Sequence, residues 1–561
     1  MRLTGAQILV RSLIAQGVDT VFGYPGGQAI VIYDALYEAQ GQIRHILASH
    51  EQGAAHAADA YARSTGKTGV VIATSGPGAT NLVTGIATAY QDSVPMVAVT
   101  GNVPMDLLGR SSFQEVDIVS ITNPIVKHNY FVQDGDRLAE IVREAFEIAN
   151  SGRKGPVLID IPKDITARET EYVPQPRYEP RPVPAPSDER LREAAALIDK
   201  SERPLIYCGG GVTFSDASEA LQDFAQRIQA PVCVSMMGLT SLPYDHPNNL
   251  GLVGMHGTAT ANTAVSGCDL LIAAGARFSD RVAGDRLKFA HGAPVIQIDI
   301  DRAEISKNVP VDLSLVGDAG QILRRLAAFP FAPRDASWLR ELSLRRQTDV
   351  LPASSAERDG SVDPREVIRV LGDVGGEELL VATDVGQHQM FVAQYYPFVR
   401  PRSLLSSCGL GTMGYGMGAA VGAAVGNPGR PVALVTGDGS FHMNMAELAV
   451  AVTHNLPIVV VVMHNGVLGM VHQWQKLFYG GRYSNTELNR RTDFKKLGEA
   501  FGGVGLRIER PEQIRPVLEE AFRAGGPCVI DCVISPNERV FPMIPPGKGP
   551  DEMVFSENDI R

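Results

Sequence analysis

Asp438 and Asn465 carry the clearest chemistry in the chain. Asp438 stands in "LVTGDGSFHMN" (434–444), between two glycines, where the apolar run Val432, Ala433, Leu434, Val435 ends. Asn465 closes the next apolar run, "PIVVVVMHN" (457–465). If the two runs are neighbouring parallel strands, their carboxyl ends open on one crevice and both side-chain oxygens can reach one ion. Two protein oxygens completed by water and phosphate oxygens suit octahedral Mg²⁺, which dehydrates reluctantly and favours a diphosphate. Gly439 lets the main chain approach, and a helix starting near Ser440 offers its N-terminus to the anion. A plain helix N-cap would account for Asp438 but not for Asn465.

Three other motifs compete for a ligand. "TGKTG" (65–69) resembles a P-loop fragment, but the pattern needs glycine where Tyr61 stands. "HEQGAAH" (50–56) resembles a zinc helix, but Ala54 occupies the place of the second histidine. "GLGTMG" (409–414) is a literal GxGxxG with Asp438 downstream, and it supports a nicotinamide-dependent dehydrogenase as the rival enzyme class. The "RPRSLLSSC" before it is a poor buried strand. A third class, a catalytically dead scaffold, requires a lost acid or metal ligand.

A GDG followed by a strand-end asparagine resembles the diphosphate-anchoring motif of thiamine diphosphate enzymes. Such catalysis needs a carboxylate against the ring nitrogen of the cofactor's aminopyrimidine. "ILASHEQGAAHAADAYAR" (46–63) supplies Glu51, at the start of an alanine-rich helix that follows a short strand. An acidic residue in a first helical turn also complements the helix dipole, the plainer reading of the same residue.

These residues need strands and helices to hold them. Short β-branched runs such as "GVVIAT", "PVLIDIP", "LLIAAGA" and "PVIQIDID" alternate with helical periodicity, which predicts an α/β protein of doubly wound parallel sheets. At 561 residues the chain is too long for one core. Two breaks divide it: "VPQPRYEPRPVPAP" (173–186), read as a stiff extended linker, and a stretch from about 329 to 364 that includes "LPASSAERDGSVDP". The expected domains are 1–172, 187–330 and 362–535, with a tail over 536–561. Residues 70–102 and 432–465 echo each other, strand, glycine turn, helix, proline, strand, with the same interval from Thr74 to Pro95 as from Thr436 to Pro457. Two similar units in separate domains suggest a duplicated fold that builds one site between two copies.

Bulk properties narrow the partners. A net charge of −11 without a basic block argues against nucleic acid or an anionic membrane. The six cysteines form no CxxC pair and read as buried hydrophobes in a reducing compartment. No signal-peptide core and no long apolar run occurs, so a cytoplasmic location is expected.

Across nearly its full length the chain resembles the acetohydroxyacid synthase (acetolactate synthase) catalytic subunits of the thiamine diphosphate-dependent superfamily. The matches run in order: "FGYPGG", "HEQGAAHAA", "TSGPGATN", "FQEVDIVSITNPIVKH", "GMHGT", "DVGQHQM", "GLGTMG", "GDGSFHMN", "GMVHQWQKLFYGGRYS" and "PMIPPGKG". The resemblance implies three doubly wound domains: an N-terminal pyrimidine-binding domain, a central FAD-binding one and a third that binds diphosphate and Mg²⁺. It makes Glu51 the cofactor-activating acid, and Asp438, Asn465 and Val467 the Mg²⁺ ligands. It assigns Pro25, Gly26, Gly76, Asn81, Gln387, His388, Gly411, Met413, Gly439, Ser440 and Met470 to thiamine diphosphate. Met413 supports the bent cofactor, so GLGTMG becomes a thiamine clamp. Arg153, Gly210, His256, Gly257, Asp299 and Asp318 are implied for a structural FAD. Arg281 recognises the carboxylate of the second 2-ketoacid, which a forked guanidinium pairs bidentately. Trp474 walls the acceptor side chain, and Phe113, Gln114, Lys127 and Met255 complete the active site. In this family the site forms between two chains, so the expectation is a homo-oligomer, at least a dimer, with a small regulatory subunit as a further partner.

The implied reaction is decarboxylation of pyruvate and ligation of the two-carbon unit to pyruvate or 2-ketobutyrate, giving 2-acetolactate or 2-aceto-2-hydroxybutyrate in branched-chain amino-acid biosynthesis. Another thiamine diphosphate-dependent decarboxylase, oxidase or carboligase is the alternative. Three departures bear on this choice. Gln28 replaces the family's usual alanine after "YPGG", Ser279 replaces an acid in "RFSDR", and Met417-Gly418 stand where leucine-proline is common.

Overall fold

The computed structural model describes residues 1–349 and 354–560. Residues 350–353, part of the second expected break, lie outside that set. Among the described residues, three six-stranded sheets, all parallel, form the bulk of the molecule, beside a two-stranded antiparallel pair of Arg2–Thr4 with Glu169–Glu171. The α/β, doubly wound class expected from the strand–helix alternation is what the chain adopts. Strands such as Gly69–Ala73, Pro204–Cys208 and Leu270–Ala274 are buried at every position. Helices on both faces leave no polar side to a sheet, which is why these strands read as unbroken apolar runs.

In the first sheet the strands lie in the order Arg44–Leu47, Thr20–Gly23, Gly69–Ala73, Met96–Asn102, Pro156–Pro162, His128–Phe131. The third runs Leu404–Leu405, Leu380–Thr383, Val432–Gly437, Ile458–His464, Cys528–Val533, Val504–Ile508. Numbered within each sheet, both are 2-1-3-4-6-5, so the internal echo reflects a shared topology. The central sheet differs. Its order, Asn249–Leu252, Val232–Val234, Pro204–Cys208, Leu270–Ala274, Val295–Asp299, Leu313–Val316, is 3-2-1-4-5-6, the dinucleotide-binding order.

The first and third sheets meet through the helices Glu51–Thr65 and Tyr415–Gly426. Their contact is built from small residues. A Cβ on Gly418 would stand 2.6 Å from the Gly53 carbonyl oxygen, and one on Gly422 would overlap the Ala57 carbonyl. One hydrophobic core runs through this contact, from Phe22 and Ala58 to Ala420 and Leu434, and a second joins the central and third sheets. Residues 173–186 contain neither helix nor strand. No helix among the described residues is long and apolar enough to cross a membrane.

Candidate active site

Asp438 and Asn465 occupy the ends of adjacent parallel strands, as their spacing suggests. The helix Asp438–Asn444 has Gly437 as its N-cap with no side-chain cap, so Asp438 does not serve as one. Its Oδ1 accepts from the Gly439 N–H at 2.9 Å and its Oδ2 from the Gly466 N–H at 2.8 Å. The second bond ties the aspartate to the turn after Asn465, whose Oδ1 accepts from the Val467 N–H at 3.1 Å. Burial pushes the Asp438 carboxyl above its ordinary value, a cost that a cation beside it would offset. Among the described residues no three His, Cys, Asp or Glu side chains converge as a metal cage.

A cavity of about 260 Å³ opens over these residues. Gln387, His388, Gly411, Met413, Gly439, Ser440, Val467 and Met470 all line it with Asp438 and Asn465. Two of its polar atoms, Gln387 Oε1 and His388 Nε2, are buried without a partner. Gln387 Nε2 is fixed by Gln473 Oε1 and the Glu538 carbonyl, both at 2.9 Å, which orients its free end. Burial lowers the His388 imidazole to about 3, so it is neutral. Ser440 Oγ donates to the Val385 carbonyl at 3.1 Å. An acid, buried unpaired acceptors or donors and a helix N-terminus at one crevice are a donor set that fits Mg²⁺ and a diphosphate.

The loop Gly409–Met413 is fixed by the first domain. Asp92 accepts from the Cys408 and Gly409 N–H groups at 3.0 and 2.7 Å, and Thr412 Oγ1 meets Thr88 Oγ1 at 2.8 Å. Asp92 and Asp59 are bridged by the buried Arg63, 2.9 and 2.6 Å away. Asp384 accepts from Gly414 and Gly416 N–H and from Thr436 Oγ1, and burial raises it to about 6.

Glu51 begins its helix behind the N-cap His50 and is buried. Asn81 Nδ2 donates to its Oε2 at 2.9 Å. The residues around it match the other expected members of this half-site. A Cβ on Gly78 would lie 3.2 Å from Glu51 Oε1 and 2.7 Å from Thr74 Cγ2, and one on Gly26 would lie 2.5 Å from the same methyl. Gly76 turns at φ +58°, and a Cβ there would lie 2.8 Å from Gln114 Cβ, so both backbone and space call for glycine. Pro25 directly precedes Gly26 at the end of the strand Thr20–Gly23. Gln28, whose N–H donates to Thr74 Oγ1 at 3.2 Å, stands in the same cluster with its Oε1 buried and unpartnered. None of this cluster lines the Asp438 cavity.

Arg281, Met255 and Trp474 come together. The guanidinium carbon is 5.9 Å from the Trp474 ring, and Nη1 is 3.8 Å from Met255 Sδ. Trp474 stands one turn beyond the cavity-lining Met470 on the helix Gly469–Phe478, though none of the three residues lines that cavity itself. Lys127 does not join either cluster. Its ammonium is held by the carbonyls of Ile148 and Ser151, and burial lowers it to about 8. Phe113 is largely exposed, beside Gln114.

A second cavity, about 350 Å³, lies at the switch point of the central sheet, where Gly210 and Gly211 follow one strand and Gly275 and Arg277 the next. Arg153, Asp299 and Asp318 line it too. Arg153 pairs with Glu304 at 2.9 Å, Asp318 caps the helix Ala319–Ala327, and burial raises Asp299 to about 6. Arg153, Lys154, Arg181 and Arg277 supply cations for phosphates, and the acids suit ribose hydroxyls, a donor set that fits a dinucleotide. His256 and Gly257 are elsewhere. Gly257 lines a separate cavity between the central and third domains, and the buried His256 keeps an unpartnered Nδ1.

Sequence reasoning missed Thr74, Asp92, Asp384, Gln473 and Glu447, which hold assigned residues in place. Thr74, Asp384 and Gln473 lie within the motifs "TSGPGATN", "DVGQHQM" and "GMVHQWQKLFYGGRYS" without being singled out there, whereas Asp92 and Glu447 lie outside those motifs and are marked by spatial proximity alone.

Three family models match the chain: the N-terminal TPP binding domain of thiamine pyrophosphate enzymes over residues 3–121, their central domain over 191–326 and their C-terminal TPP binding domain over 384–532. The chain is 46% identical to a probable acetolactate synthase large subunit of Methanocaldococcus jannaschii, over 97% of this chain and 94% of the relative. It is 46% identical to the acetolactate synthase large subunit of Parasynechococcus marenigrum, over 98% and 91%. An acetolactate synthase of Mycobacterium bovis is 45% identical over 98% and 91%.

Proposed function

Because the chain belongs to the thiamine pyrophosphate enzymes and, among them, to the acetolactate synthase large subunits, we propose the following account of its reaction. The enzyme removes CO₂ from pyruvate and joins the remaining two-carbon unit to pyruvate or 2-ketobutyrate, giving 2-acetolactate or 2-aceto-2-hydroxybutyrate for branched-chain amino-acid biosynthesis. Bound thiamine diphosphate supplies a thiazolium carbon that acts as nucleophile and electron sink toward a 2-ketoacid.

The chain's own residues do the rest. Asp438, Asn465 and Val467 hold Mg²⁺, and Gln387, His388 and the start of the helix Asp438–Asn444 receive the diphosphate. Gly411 and Met413 hold the ring system from the loop that Asp92 fixes. Glu51, oriented by Asn81, would hold the proton that the ring nitrogen of a bound aminopyrimidine needs. Pro25, Gly26, Gly76 and Gln114 form the floor around it. Arg281 pairs with the carboxylate of the acceptor ketoacid while Trp474 and Met255 bound its side chain. FAD occupies the cavity of Arg153, Gly210, Asp299 and Asp318 as a structural group.

The observation that carries this reading is the separation of two half-sites within one chain. The Asp438 cavity is lined by the third domain alone, and Glu51 lies outside it. Two chains exchanging halves complete two sites, so the working enzyme is at least a dimer. The exposed Phe113, Ile30, Met443 and Val471 suit that face-to-face contact. Since relatives carry the printed name large subunit, a small subunit is a further partner.

The test is Glu51→Gln. With thiamine diphosphate and Mg²⁺ saturating, turnover of pyruvate should fall by about 10²-fold or more, with cofactor binding retained. Full turnover in this variant would overturn the assignment of Glu51.

A further inference from the structure

Glu447 has no assigned part in the site, yet its surroundings are unusual for a helix-end glutamate. It closes the turn Met445–Glu447 that follows the helix Asp438–Asn444, and its side chain is 2% exposed. Its Oε1 accepts from the His50 N–H at 2.9 Å, and both oxygens accept from the Ser49 N–H at 3.2 Å. Ser49 Oγ donates back to the Ala446 carbonyl at 2.8 Å. Ser49 and His50 are the two residues directly before Glu51, and His50 is the N-cap of its helix.

The first domain makes room for this side chain. A Cβ on Gly53 would overlap Glu447 Oε1. A buried carboxylate is retained only where donors compensate its lost hydration. Here two main-chain N–H groups and the positive end of the helix do so. Burial pushes the Glu447 carboxyl up to about 7 against the pull of those N–H groups, and the nearby Glu51 adds to the rise. An apolar side chain of the same length would fill the space and leave the Ser49 and His50 donors unsatisfied.

We propose that Glu447 is a positioning residue for Glu51: it fixes the entry of the helix Glu51–Thr65, so that the third domain of a chain sets the acid presented by its own first domain. This rests on the reading of Glu51 as the cofactor-activating acid. In a dimer with exchanged halves, the segment that anchors one cofactor through Asp438 also aims the carboxylate serving the other. The diphosphate anchor Asp438 and Glu447, which holds the helix entry of the partner site's acid, are thus ends of one short stretch of chain.

The experiment uses the full-length enzyme with thiamine diphosphate and Mg²⁺ bound. The variants are Glu447→Gln, Glu447→Asp and Gly53→Ala, with Glu51→Gln as reference. The readouts are the rate at which the cofactor's C2 proton exchanges with D₂O, followed by NMR after acid quenching, together with the apparent cofactor Kd, the KM for pyruvate and Tm. A displaced catalytic group costs rate more than binding. Exchange in Glu447→Gln should therefore slow about 10-fold or more, with cofactor Kd and KM nearly unchanged. Gly53→Ala, which presses on the same contact from the other side, should slow it likewise, and Glu447→Asp should recover part of the loss. Wild-type exchange in folded Glu447→Gln and Gly53→Ala, with only Tm lowered, would overturn the proposal and leave a structural contact. Should Glu447→Gln fail to fold, Gly53→Ala and Glu447→Asp decide. If Glu51→Gln itself exchanges normally, the reading of Glu51 fails; if it is slow and the other variants are fast, only the inference on Glu447 fails.

Discussion

A carboxylate where a buried strand ends carries a desolvation cost, and the neighbours decide what offsets it. At Asp438 two main-chain N–H groups do part of this, and the unpaired Gln387 and His388 atoms facing the same cavity favour a bound group for the remainder. Asp438→Asn should weaken Mg²⁺-dependent cofactor binding by about 10-fold or more, read by cofactor titration at fixed Mg²⁺. Asp160 is the opposite case. It is buried with Thr100 and Asn102 as donors at 2.6 Å, and burial raises it to about 7 from an ordinary 3.8. The folded state holds a proton there that the unfolded chain releases, so this contribution is complete below about pH 4 and is lost as pH rises through 7. Asp160→Asn removes the titration. The stability of the native protein relative to this variant should therefore drop by on the order of a few kcal/mol between pH 5 and 8, measured by denaturant unfolding. At this scale the sequence disclosed residues that sit in spaced motifs, such as Asp438 with Asn465. It could not disclose Glu447, because a lone acid in an apolar stretch reads the same whether it faces solvent or a neighbouring domain; Asp384 opens "DVGQHQM", but the sequence does not show that Gly414, Gly416 and Thr436 fold onto it.

Between elements, the decisive contact is the helix pair Glu51–Thr65 and Tyr415–Gly426. Both helices are alanine- and glycine-rich, so the sequence shows that they are buried all round without showing what buries them. The structure shows that they bury each other, with backbone against backbone at Gly53, Ala57, Gly418 and Gly422. Gly418 is thus a point of closest approach. Gly422→Ala must push the helices apart, because its new methyl meets a main-chain carbonyl that cannot swing away. A loss of about 1–3 kcal/mol in unfolding free energy is expected, with C2 exchange slowed through the displaced Glu51. The strand order was legible in part. The echo between 70–102 and 432–465 anticipated like units, and both sheets are indeed 2-1-3-4-6-5. The order 3-2-1-4-5-6 of the central sheet was not, since short glycine-ended strands fix crossover helices but not which strand lies beside which.

For the whole molecule, the proposed exchange of halves makes a demand that no single chain can meet. At a cofactor concentration limiting for Asp438→Asn, Glu51→Gln and Asp438→Asn should each be nearly inactive alone. Mixed, dissociated and reassembled, they form hybrids in which one site combines wild-type Glu51 with wild-type Asp438, and activity should return to about a quarter of the wild-type level (half of the dimers being hybrids, each with one intact site). A site complete within one chain would give none. Gln28, beside Thr74, is the feature of this chain that most bears on the choice of acceptor. The most direct measurement is NMR identification of the products from purified protein with thiamine diphosphate, Mg²⁺, FAD and pyruvate, with and without 2-ketobutyrate. The account predicts 2-acetolactate, joined by 2-aceto-2-hydroxybutyrate when 2-ketobutyrate is present. Acetaldehyde as the sole product, or no loss of pyruvate, would contradict it.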